Sequence, residues 1–276
     1  MKLEALFEQT HRLPTVPQVV QQLIDSFNQP DADLTGIAAH IAQDPVIAAK
    51  TLRLANCAHT GATRRIGSIN EAVMVLGFST MRTLVIATGI TGAFITTPGF
   101  DRKRFWQHSL DVAACARWLA AQTGQDTDSA FTSGLLHSIG ELLIHVVAPE
   151  LAPRIEQHDP AIGFDYAEVG AELARRWNFP ETFRLAILHQ NAPLQYPESG
   201  MPGLIMHLAI TLANALDAGT PPDALAAALP QEELTALGFD LATIAGELPA
   251  AIRTGKLLDA LATLQFQTKI SYKSIT

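Results

Sequence analysis

In the stretch SGLLHSIGELLIH, Ser133 to His145, an imidazole and a carboxylate stand four residues apart, His137 and Glu141. On a helix that spacing sets both on one face, a turn apart. Imidazole nitrogen and carboxylate oxygen are ligands of hydrolytic divalent metals, which also need an open position for water. A good ligand pair of this kind has the carboxylate directly after the histidine. Here that residue is Ser138, whose hydroxyl is neutral and supplies no charge. Glu141 alone also reads as a solvated or helix-packing carboxylate.

The chain holds nine histidines. His108 is in register with Val112, Cys115 and Leu119, which places it on the apolar, inward face of its helix. His189 ends AILH and is followed by Gln190; His207 lies between Met206 and Leu208. Each alone suits a hydrogen-bonded core or boundary histidine. Together they can line one cleft, yet near them the sequence offers only Asp111 and Glu141 as anionic oxygen ligands.

The elements that must position these residues are helical. Val19, Val20, Leu23, Ile24 and Phe27 form one apolar stripe at helical spacing. Asp44-Pro45 reads as an N-cap followed by proline at the first helical position. Ser68 and Glu71 form a capping box; Gly77 ends that helix, and Ser79 is placed to cap the next. After TTPGF the helices lengthen. Asp101 is placed to cap one that stops at Gly124, and Asp128 one that runs through the His137 stretch to about Pro149. Asp165 and Glu168 form a second capping box, and Pro180 and Pro202 start further helices. No stretch alternates with period two for long.

The expected fold is therefore all-α, in two helical lobes. Residues 1–100 form an N-terminal lobe of short helices and residues 101–216 a lobe of longer ones. Residues 217–276 read as a helical extension.

Composition narrows the function. An apolar fraction of 48% and a charged fraction of 17% suit a well-packed soluble chain. The net charge of −8 gives no footprint for nucleic acid or an anionic membrane. Two cysteines, Cys57 and Cys115, are too few for a disulfide framework. The uncharged run Thr83–Phe100 is interrupted by threonines, glycines and Pro98, so it reads as a buried helix rather than the ~20 apolar residues of a span. The N-terminus lacks a signal-peptide pattern. These readings predict a cytoplasmic protein with no membrane association. Neither a nucleophile elbow nor a phosphate-cradling glycine loop nor a Cys-x-x-Cys pair appears. The basic pairs Lys103-Arg104 and Arg175-Arg176 read as solvated.

LPTVPQVVQQLI, AQDPVIAAKTLRLAN and SINEAVMVLGFSTMRTLV, followed in order by FWQHSLDVAACARWLA, SGLLHSIGELLI, YAEVGAELARRWNFPETFRLAILHQNAP and MHLAITLAN, resemble the HDOD family, the HD-related output domains of bacterial signalling proteins. The likeness spans roughly Leu13 to Leu216. It implies kinship with the HD and HD-GYP phosphohydrolases, all-helical enzymes whose histidines and aspartates bind metal. Residue by residue the match is partial. His108 stands where the first metal-binding histidine would be, and His137 matches the His of the His-Asp doublet with Ser138 in place of the Asp. His189 with Gln190 falls on the His-His-Glu segment, and Ile210 on the last metal aspartate.

The resemblance therefore implies a non-catalytic signal-transduction output or interaction module. Its degenerate-site pocket comprises His108, His137, Ser138, Glu141, His189 and Gln190. No catalytic residue, resident metal or other cofactor is expected; His108, His137 and His189 are at most weak metal candidates that capture an adventitious divalent ion. The expected partners are signalling proteins acting in trans: a response regulator, a diguanylate cyclase or a phosphodiesterase. The alternative is a metal-dependent HD-type phosphohydrolase with residual activity on nucleotide or cyclic-dinucleotide phosphoesters.

Overall fold

A computed structural model describes residues 2–8, 16–28, 34–58, 66–94, 100–221, 224–225 and 228–239. Among them there are helices and no strands, so the all-α reading holds. Most of the TTPGF break and residues 240–276 of the expected extension lie outside the described residues. The chain divides into two compact units, one comprising Met1–Thr15 with Phe94–Ile252 and the other containing Val16–Ala93.

The second of these units holds α2 (Gln18–Asp25), α3 (Leu34–Gln43), α4 (Pro45–Ala58), α5 (Ile69–Leu76) and α6 (Phe78–Ala93). Its helix ends follow local rules. Asp44 Oδ1 accepts the Ile47 amide at 3.0 Å ahead of Pro45. Ser68 Oγ accepts the Glu71 amide at 3.1 Å, but Glu71 returns its bond to the Gly67 amide, at 3.0 Å, rather than to Ser68. Gly77 reaches φ +79°, where a glycine meets no Cβ penalty, and α6 begins directly after it, one residue before Ser79. Asn56 pins the following segment by accepting from the Ile66 amide at 2.8 Å and donating to the Ile66 carbonyl at 2.9 Å.

The larger unit contains α1 (Leu3–Phe7), α7 (Arg102–Gln122), α8 (Thr127–Leu136), α9 (Ile139–Val147), α10 (Ala152–Glu156), α11 (Tyr166–Arg176), α12 (Glu181–Leu188), α13 (Gly200–Asp217) and α14 (Gln231–Leu237). Val112, Cys115 and Leu119 of α7 are fully buried, and they join Leu208, Ala209, Leu212 and Ala213 of α13 in one apolar core. Asp101 caps α7 through the Arg104 amide at 3.0 Å, and the Asp165–Glu168 capping box is closed in both directions at 2.8 Å.

The segment from Asp126 to Val147 departs from expectation twice. Asp126, not Asp128, caps α8, accepting from the Asp128 and Ser129 amides. Asp126 is the first carboxylate after the turn at Gly124 (φ +66°), whereas Asp128 already lies inside the helix and faces Arg117 at 3.9 Å. The expected single helix also breaks: α8 ends at Leu136, and Ser138 (φ −102°, ψ 19°) starts α9. By length and composition alone Thr127–Val147 and Pro197–Asp217 are apolar enough to cross a membrane, with 72% and 44% of their windows buried inside the protein.

Two glycines flank this break and hold it in place. A Cβ on Gly134 would lie 2.8 Å from Ala113 Cα, so α8 meets α7 main chain to main chain. A Cβ on Gly140 would run into the Tyr166 carbonyl and the Gly170 amide of α11. We expect Gly140→Ala to destabilise the protein by about 1–3 kcal/mol, because the obstructing atoms are backbone and cannot rotate away. Ser138→Ala, at a half-buried hydroxyl with no hydrogen bond among the described residues, should stay within about 0.5 kcal/mol. Urea unfolding of the two variants checks the contrast.

Candidate functional site

His108 lies two turns into α7, at the edge of its apolar face, with its side chain 24% exposed. Its Nδ1 meets Asp217 Oδ2, at the end of α13, at 2.9 Å. His137 sits in the α8–α9 turn with its Nδ1 2.8 Å from the Gly134 carbonyl. A carbonyl only accepts, so His137 Nδ1 carries the proton and Nε2 keeps a lone pair. Against ionised Asp217 the same holds for His108 whenever its ring is neutral. The two ring centroids are 5.7 Å apart, edge towards face. Burial, the largest influence, pushes His137 down to about 4; the Gly134 carbonyl opposes this and His108 adds to it.

Two further carboxylates, Asp111 and Glu141, feel the charge of His108 without bonding to it. Asp111 is raised above the usual carboxylate range, first by burial, then by Asp217 nearby, while its bond from Gln107 and the His108 charge pull the other way. Glu141 is raised by burial, with Glu156 adding to the rise and His145 and His108 opposing it. Ser138 provides the first residue of the turn into α9, and its hydroxyl makes no capping bond.

The remaining residues divide. Gln190 comes to the site through its side chain, donating from Nε2 to the His137 carbonyl at 3.3 Å, while its Oε1 is buried without a partner. Its own carbonyl lies 2.7 Å from His207 Nδ1, whose ring faces Glu233 of α14 at 3.9 Å. His189 turns elsewhere: its ring stacks on Tyr196 with centroids 4.0 Å apart, and Nε2 lies 3.6 Å from Glu198. So His108 and His137 are brought together, Gln190 holds the His137 carbonyl, and His189 makes its ring contacts outside the pair.

Asp217 is the residue that sequence reasoning missed. It lies 109 positions from His108. The available signal was helical phase: Asp217 follows Ile210 by two turns on one face of α13. Ile210 itself packs half-buried against the apolar core.

This donor set does not fit a two-metal hydrolytic centre. Among the described residues no three His, Cys, Asp or Glu side chains are grouped to hold a metal ion. His108 Nδ1 is engaged by Asp217, and the positions beside His137 and at 210 carry a hydroxyl and an alkyl group.

A family model described as the HDOD domain matches residues 13–193. An uncharacterized protein of Treponema pallidum is 30% identical over 200 residues, covering 66% of this chain and 39% of that protein. Ribonuclease Y of Aquifex aeolicus is 30% identical over 116 residues, 41% of this chain and 17% of the enzyme. The chain thus spans well under half the length of these curated relatives. A crystal structure of a candidate phosphohydrolase from Shewanella amazonensis SB2B is 31% identical, covers 94% of this chain and 97% of its own, and superposes with a TM-score of 0.77.

The His137 geometry has a pH consequence. Its folded value, about 4, lies below the ordinary 6.5, so the unfolded chain binds the proton more readily. The stabilisation is complete above pH 6.5 and is lost progressively as pH falls towards 4, by roughly 3 kcal/mol in all. Glu141, raised when folded, contributes with the opposite sign, stability being lost as pH rises through its folded value. Comparison with His137→Asn isolates the histidine: its unfolding free energy should be flatter between pH 7 and about 4.5 than that of the wild type.

Proposed function

Because the chain belongs to the HDOD family, we propose that it is a non-catalytic output and interaction module of a bacterial signalling pathway, working in the cytoplasm. The observation that carries this reading is the commitment of the two histidines. His108 is tied to Asp217, His137 is neutral and followed by Ser138, and Ile210, which the resemblance aligns with the last metal aspartate, packs half-buried against the apolar core. Water activation by a hard cation needs anionic ligands in the first coordination sphere, and positions 138 and 210 supply none. The module has no resident cofactor and acts through signalling proteins in trans: a response regulator, a diguanylate cyclase or a phosphodiesterase. Tagged protein used as bait against its host's receiver, cyclase and phosphodiesterase proteins should capture at least one of them. Failure to capture any, together with wild-type behaviour of a deletion strain, sinks the reading.

A second reading is a residual metal-dependent phosphohydrolase. It is favoured by the 31% identity to the candidate phosphohydrolase and by two imidazole Nε2 atoms left as acceptors. The two readings part on hydrolysis and metal content. With tag-free protein and Mn²⁺, Fe²⁺ or Ni²⁺, we expect no turnover of nucleotide or cyclic-dinucleotide phosphoesters above buffer, and less than one metal per chain by elemental analysis. Ser138→Asp alone should not create activity, since Ile210 stays apolar and His108 stays tied to Asp217. Turnover that His137→Ala abolishes would establish the enzyme instead.

A further inference from the structure

α1 is separated in sequence from the unit it belongs to. Leu3–Phe7 is part of the larger unit, yet Val16–Ala93, which follows it, forms the other one. Two adjacent side chains hold α1 in place. Leu6 and Phe7 are 0% and 1% exposed, whereas Lys2, Glu4 and Glu8 face solvent. Arg176 of α11 covers the Phe7 ring, its guanidinium carbon 4.5 Å from the ring centroid. Arg176 is itself fixed, because its Nε donates to Glu172 Oε1 at 2.8 Å. A cation set over an aromatic face is a specific receptor for that ring. The pair Arg175-Arg176, which reads as solvated in the sequence, therefore lends one side chain to the cover over Phe7.

The element in this seat is weakly built. It has five residues, against the roughly 12–15 that an isolated helix needs to persist, and no side chain caps its start. Elements with so few anchors open while the unit around them stays folded. With α1 out, an emptied apolar seat would remain beneath Arg176. That is the receptor half of helix-in-groove recognition, in which apolar anchors on one helix face fill a groove.

We propose that the seat of α1 is an exchangeable docking site for a partner's short amphipathic helix bearing adjacent leucine and phenylalanine, with α1 as the built-in competitor. The inference rests on the reading of the chain as an interaction module and names the contact through which it captures a partner.

Fluorescence anisotropy with a labelled peptide KLEALFE, the sequence of residues 2–8, tests the seat on the full chain. The double variant Leu6→Ser with Phe7→Ser should bind this peptide at least about tenfold more tightly than the wild type, because its own α1 no longer competes. The same peptide with serine at both anchors should bind neither chain. Adding Arg176→Gln to the double variant should weaken the peptide by about threefold. Hydrogen exchange on the wild type guards against a variant that fails to fold. The Glu8 amide, bonded to the Glu4 carbonyl at 3.0 Å, should exchange about a hundredfold faster than the Trp177 amide, bonded to the Leu173 carbonyl at 3.0 Å. No peptide binding by the double variant, equal affinity of variant and wild type, or equal protection of the two amides would overturn the proposal. A signalling protein captured by the wild type should be captured more strongly by the double variant and released by the peptide. Capture that the peptide leaves untouched removes the seat alone, and peptide binding without any capture removes the partner role alone.

Discussion

Around Gly134 and Gly140 there is no room for a side chain, and this constraint shapes the larger unit. Gly134 lets α8 lie against the main chain of α7, while Gly140 lets α9 lie against the main chain of α11. The two contacts lie on either side of the break, where the chain leaves α8 and enters α9 at His137 and Ser138. The break turns the Gly134 carbonyl towards the His137 ring and buries that ring almost completely. Burial then keeps it neutral, because a charged imidazole there would lose its hydration without gaining a carboxylate.

The second layer is electrostatic. His108 contacts the neutral ring of His137 and the Asp217 carboxylate, and its charge is felt by Asp111 and Glu141. Asp111 and Glu141 are both pushed up by burial, so these two acids hold their protons more firmly than solvated ones. Such a neighbourhood is set up to hold a hydrogen-bonded histidine in one orientation. The Gln190 link extends the hold, since one residue braces the His137 carbonyl and the His207 ring together.

Local rules were legible in the sequence, and long-range ones were not. Asp101, Asp44 and the Asp165–Glu168 box act as their spacing predicts, because a cap needs only neighbours within a turn. Choosing between Asp126 and Asp128 required knowing where the Gly124 turn ends, and helical periodicity passes smoothly through both. The break at His137 was hidden for the opposite reason. LLHSIGELL has helical spacing throughout, and the main-chain contacts that interrupt it come from α7 and α11. His108 and His137 were placed in one pocket from pattern and resemblance; Asp217 was not, since nothing local ties it to a histidine 109 residues away. His189 shared the same pattern, yet Tyr196, seven residues on, gives its ring a stacking partner outside the pair.

The proton on His137 is held by a main-chain carbonyl, and this changes what a mutation near it means. No side-chain substitution can delete that acceptor, so the ring's charge is governed by how well its surroundings exclude water. Leu136 and Ile139, both buried beside it, are in that sense dielectric residues as much as packing ones. Trimming either would admit solvent, raise the proton affinity of the imidazole and alter the charge of the unit with no ionisable residue exchanged. At this turn, hydrocarbon volume is an electrostatic variable.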